Sequence, residues 1–251
     1  ANTTASNNTA VGLDALTANT TGTENVAVGY NALDANTTAN YNIGIGSNAL
    51  GVNSTGANNV AVGTFALDAN TTASDNTGLG YQALSANSTG ASNTAVGSYA
   101  LVTNTTASNN TAVGYSALLY NTDGYANTAI GAEAGDAVTT GDFNVFVGKG
   151  AGGGTTTADA NTAVGESSFV ANTTGANNVA MGANALGSNT TAASNVAIGK
   201  SALYANTTAN DNTAVGYQSL TSNTTATYNT GVGSRSLANN TTGVRNSAVG
   251  Y

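Results

Sequence analysis

Asn25-Val26-Ala27-Val28-Gly29-Tyr30-Asn31-Ala32-Leu33 returns seventeen residues later as Asn42-Ile43-Gly44-Ile45-Gly46-Ser47-Asn48-Ala49-Leu50. The glycine of this unit first stands at Gly12 and then at every seventeenth position to Gly250, with no insertion or deletion. An asparagine precedes it by four places every time, from Asn8 to Asn246. A period that never slips is the mark of a solenoid, in which each repeat forms one coil against the next. A chain of near-identical coils builds no unique pocket. A structural or adhesive task is therefore expected in place of catalysis.

Phases are counted here from that glycine. Phase −1 is always aliphatic (Val11, Val28, Ile45 and so on to Val249), and phase −3 is Val, Ile, Thr or Ser. Two residues apart in a strand, they share one face, and their β-branched character suits a pleated surface. They are read as the inward face. Phase +4 supplies a second core row, Leu33, Leu50, Leu67 and Leu118 among others. Phase +10 is only ever Gly or Ala, which marks a corner. At about 3.3 Å per residue the coil has a perimeter near 56 Å, room for two or three short strands. Fifteen coils about 4.8 Å apart would extend roughly 70 Å.

The expected fold is an all-β parallel β-solenoid, a β-helix or β-roll of about fifteen coils, forming a single repeat domain over 1–251. Its structural ladder is Asn25, Val28, Gly29, Leu33, Asn42, Ile45, Gly46, Leu50, Asn110, Val113, Gly114 and Leu118. Stacked asparagines suit such a chain, because their amides bond along the stacking axis. Over 131–165 the pattern varies. Gly135 and Gly152 stand in place of the core Leu, Val138 and Thr155 in place of the phase +7 Asn, and Phe143, Phe146 and Phe169 appear nearby. The phenylalanines are expected to refill the space the leucines leave.

Of the 251 residues only 6% are charged, against roughly a quarter in ordinary domains. The strict register argues against the disorder that low complexity can signal. The formal net charge of −8, with four basic residues in all, excludes a nucleic-acid partner. No apolar run is long enough to span a membrane, and no signal peptide is visible. Charged side chains fall only at phases +1, +2, +5, +9, +11 and +12, as with Lys149, Asp34 and Glu24. None occupies −4 to 0. With phase −2 Ala or Gly in all coils but the one bearing Phe146, that side reads either as packed on a neighbouring chain or as a cramped corner of one solenoid.

Motifs for chemistry are absent. There is no His or Cys, no catalytic or metal-binding set and no cofactor fingerprint. Gly148-Lys149-Gly150-Ala151-Gly152-Gly153-Gly154 lacks the order of a phosphate loop, and the calcium nonapeptide period is missing. Asn36, Asn70, Asn104 and Asn206 open Asn-x-Ser/Thr sequons, which either carry glycans on a secreted chain or form uncharged ladders. Thr pairs at +8 and +9 raise an ice-binding surface as a third reading. Adjacent strand residues point oppositely, however, which does not give the Thr-x-Thr face usual there.

Ala1 falls at phase +6 and Tyr251 at phase +1, so copies laid end to end would leave four phases unfilled. Open coil ends are strand edges that tend to pair. The expectation is a window of a longer array, or copies that stack into a filament.

Asn212-Thr-Ala-Val-Gly-Tyr-Gln-Ser-Leu220 and its linkers of Asn-Thr-Thr-Gly type resemble repeats of bacteriophage tail fibres and large bacterial surface adhesins. The Val-Ala-Val-Gly core is similar to head repeats of trimeric autotransporter adhesins, whose coils are shorter. The resemblance covers the whole chain. It implies a left-handed solenoid, commonly homotrimeric, on a virion, on a cell surface or otherwise extracellular. The leading expectation is a non-catalytic fibre protein whose partner is itself. The alternative is an adhesin segment that meets a cell-surface receptor or glycan through its Tyr-bearing rows.

Overall fold

The structure, a computed structural model, describes residues 4–251. It comprises two compact units, Ala1–Ala126 and Asn127–Tyr251, and both are built from the expected coil. Among the described residues the first holds seven strands, β1 (Thr9–Val11) to β7 (Thr111–Val113), and the second eight, β8 (Thr128–Ile130) to β15 (Ser247–Val249). Within each unit every strand pairs in parallel with the next in sequence. The register never slips: β2 (Val26–Val28) meets β3 (Ile43–Ile45) as Val26 on Ile43, Ala27 on Gly44 and Val28 on Ile45. The chain is an all-β parallel solenoid with a seventeen-residue coil.

Each coil holds one strand, of three residues, where two or three had been expected. The reason is local. Phases +2, +4 and +12 sit in the left-handed region, at φ 52° for Asn31, 50° for Leu33 and 61° for Tyr41. Turns at three phases interrupt the coil, and the strand ladder is confined to −3 to −1. Stacking continues outside the strands through backbone bonds to adjacent coils, such as Leu33 N–H to Ala49 O at 3.1 Å and Ala35 N–H to Gly51 O at 3.2 Å. The turn groups that a folded chain must satisfy thus find their partners one coil away.

The inward face of the strand is the opposite of the one read from sequence. Phase −2 is buried, as Ala27, Ala61 and Ala95 are, while −3 and −1 face outward and remain partly exposed. Val28 and Val113 are half-exposed and Ile45 is 38% exposed. The core is narrow, which explains the choice. A Cβ added to Gly44 would come within 3.2 Å of Leu33 Cγ, so the +4 leucine of the preceding coil leaves room at −2 for a methyl group and little more. The interior is filled by Ala at −2 and +3, Leu at +4, Asn at −4 and +7, and Ala or Gly at +10.

The variant coils keep this arrangement by exchange. Phe146 points inward from −2 and is fully buried. Its ring lies where a Cβ on Gly152 would have to stand, so one large residue replaces the missing leucine from the other side of the coil. Phe169 fills the +4 row directly and is also buried, whereas Phe143 is exposed and lies outside the core.

Candidate functional site

The ladder residues come together as expected for Asn25, Asn42 and Asn110, all fully buried. Asn42 N–H donates to Asn25 Oδ1 at 2.9 Å, and Asn25 N–H to Asn8 Oδ1 at 2.8 Å. The amide nitrogens donate across the coil interior: Asn25 Nδ2 to Ala39 O at 2.8 Å, and Asn42 Nδ2 to Gly56 O at 2.8 Å. Asn110 repeats both bonds, with Asn93 Oδ1 and Gly124 O, at 2.9 Å each. The side chain here satisfies a backbone N–H just ahead of the strand, a buried donor that would otherwise cost about 1–3 kcal/mol. Leu33, Leu50 and Leu118 are buried. Gly29, Gly46 and Gly114 take φ of 138°, 134° and 138°. A Cβ on Gly29 would stand 2.5 Å from Gly46 O.

The sequon asparagines are part of a second ladder. Asn36, Asn70, Asn104 and Asn206 are fully buried. Their Nδ2 atoms donate to Asn19, Asn53, Asn87 and Asn189 Oδ1, at 3.0, 2.8, 2.9 and 3.0 Å. The nitrogen a glycan would need is inside the coil and engaged, so in the folded chain the ladder reading holds and the glycosylation reading does not. Val138 and Thr155 interrupt this row, and Thr155 Oγ1 is a buried hydroxyl without a partner. The neighbouring +8 hydroxyls are also spent within the chain, as in Thr37 Oγ1 to Ser54 O at 3.2 Å and Thr190 Oγ1 to Thr207 O at 3.1 Å.

Three features outside the ladders were not legible from the period. Tyr81, Tyr99 and Tyr115 of successive coils pack edge to face, with centroids 5.4 and 6.1 Å apart, and Tyr81 and Tyr115 keep exposed rings. Arg235 lies 5.8 Å from the Tyr217 centroid and Arg245 5.4 Å from that of Tyr228, which leaves two of the four basic residues on aromatic faces. A shallow cleft of about 360 Å³ opens above Gly51, lined by Asn31, Asn48, Phe65, Asp34 and Asp68 among others. Burial pushes the Asp34 and Asp68 carboxyls above the usual carboxylate value; Asp136 is raised by burial and, less, by Glu133.

None of these gathers a nucleophile with a base, as covalent or acid–base catalysis requires. Among the described residues no three of His, Cys, Asp and Glu converge on a point, and no helix is long and apolar enough to cross a membrane. The outward rows of the strands are a further surface, and charge is absent from them throughout. Compared with protein-family models, curated proteins and solved structures, the chain matches none.

Proposed function

We propose that this chain is a structural, non-catalytic repeat segment of a fibre on a virion or cell surface, and that it works as a homo-oligomer, a trimer or an end-to-end filament. The observation that carries the reading is the equivalence of the coils. Each of β2 to β6 meets its two neighbours in the same register, so within a unit length is added by repetition and no coil is singled out for chemistry. Sedimentation and electron microscopy of the purified chain test it: elongated multimers are expected, and a compact monomer at all concentrations would sink it.

An adhesin reading is favoured by the Tyr81–Tyr99–Tyr115 cluster, because exposed aromatic rings present large, rigid contact area at low entropic cost. Replacing Tyr81 and Tyr115 by Ala, with Tyr30 and Tyr217 in a second variant, should then abolish binding to cells or glycans. Adhesion that survives both sets belongs to the fibre reading.

A further inference from the structure

The outward rows of the strands form a two-dimensional lattice. Along a strand the −3 and −1 side chains are about 6.6 Å apart, and between strands the spacing is about 4.8 Å. Thr77, Thr94 and Thr111 stand side by side in one row of the first unit, with Leu79, Val96 and Val113 in the other. The second unit repeats the arrangement at Thr213 and Thr230, beside Val215 and Val232. Asn ladders flank the strands, and their bonds from coil to coil hold the register.

The chemistry of the rows narrows the occupant. No charged residue falls at these phases in a chain of net charge −8, so the face offers nothing to a charged peptide, a phosphate or a lipid headgroup. The row is not purely apolar either. Among the described residues the hydroxyls of Thr77, Thr94 and Thr111 find no hydrogen-bond partner, in contrast to the +8 threonines, whose hydroxyls donate to carbonyls of the next coil. An apolar partner surface laid dry on the Thr row, the Val and Leu row of a second copy included, would bury these hydroxyls unpaired, which is unfavourable. A neutral partner that supplies hydrogen bonds at regular intervals and cages around methyl groups would satisfy both rows.

We propose that the outward rows of the strands bind the surface of ice, whose oxygen spacings along its lattice directions are of the same order. The many weak, identical contacts add because the coils are linked. The proposal stands apart from the fibre reading, since it requires only the folded coil. It also moves the ice-binding face from the +8 and +9 threonines, whose +8 hydroxyls are spent, to the strand itself.

The test is a freezing-point measurement on single ice crystals in a solution of the intact chain. The expected result is faceted growth and a gap between melting and freezing points. Thr94→Tyr with Thr111→Tyr, and Thr213→Tyr with Thr230→Tyr, raise rings out of the rows and should remove most of the gap. Thr94→Val with Thr111→Val keeps shape and fold while removing hydroxyls, and should reduce it. Tyr30→Ala, outside the rows, should leave it unchanged, with circular dichroism reporting the fold of every variant. An intact chain without a gap or faceting overturns the proposal, as does a gap that survives the Tyr variants. A concentration-dependent dimer that those variants dissolve would assign the rows to a second copy and overturn it equally.

Discussion

At the scale of single residues, the recurring glycine is fixed by two separate constraints. Its φ near 135° is one that L side chains rarely adopt, and its α-carbon lies against the next coil. At Gly46 an added Cβ would come within 2.6 Å of the Gly63 carbonyl carbon and oxygen. Gly150 meets neither constraint so severely: φ is 63° and nothing lies within 4 Å of the Cβ position. Gly46→Ala is expected to destabilise the chain by about 3 kcal/mol or more, from backbone strain and displaced backbone together. Gly150→Ala should cost only about 1–2 kcal/mol, the ordinary left-handed penalty. Thermal unfolding of the two variants separates them, and equal losses would refute the steric account.

The raised carboxyls make a second residue-scale prediction. Asp34, Asp68 and Asp136 are held above the ordinary value of 3.8, chiefly by burial. An acid whose folded pKa exceeds its unfolded one favours the folded state when protonated, and this contribution is lost as pH rises through the folded pKa. Stability should therefore fall as pH climbs from below 3.8 through the raised values. Melting temperature followed across that window should show the decline, and Asp34→Asn with Asp68→Asn should flatten it.

At the scale of the element, the three-residue strand shows what the sequence conveys and what it conceals. The period, the Asn rows, the inward Leu row and the glycine corner were all legible because each is a fixed residue type at a fixed phase. The face of the strand was not. Val28 and Ile45 look like core because β-branched residues usually are, yet the small Ala27 and Gly44 take the inside, where Leu33 leaves no more room. Sequence hydrophobicity ranks side chains; it does not report the width of the space they must fill. The left-handed turns at Leu33 and its equivalents were hidden for a similar reason, since leucine gives no local signal of positive φ. The sequons left two readings open, and the burial of Asn36 and its equivalents in a ladder decides between them.

The exchange between Phe146 and Gly152 tests this view of the core. Phe146→Ala should cost about 3–5 kcal/mol by opening a cavity. Adding Gly152→Leu restores the residue pair found in ordinary coils, Ala at −2 and Leu at +4. The double variant should recover more than half of the loss, a coupling that a double-mutant cycle reads directly. Independent, additive effects would show that the two residues do not share one space.

At the scale of the molecule, the absence of slippage means that coils are interchangeable parts within a unit. Excising residues 59–75 removes one whole coil and leaves every later residue in phase with its ladder. The shortened chain is expected to fold, with a modest loss of stability from one lost interface. Excising 59–74, one residue fewer, puts Asn, Leu and Gly rows out of step across the cut, and should abolish the folding of that unit. Circular dichroism and thermal melting distinguish the outcomes. If both deletions fold equally well, the rows of like residues are not what holds the coils together.

The asparagine-lined interior has a consequence for temperature. Heat-capacity change on unfolding grows with exposed apolar area and shrinks with exposed polar area. A core in which amide groups share the space with alanine and a single leucine row releases little of the first and much of the second. Calorimetry should give a value below the usual 12–15 cal/mol/K per residue, roughly. A smaller value flattens the stability curve and pushes unfolding in the cold to lower temperature. A coil held by directional bonds between amides loses little of its cohesion as water cools and the hydrophobic drive fades.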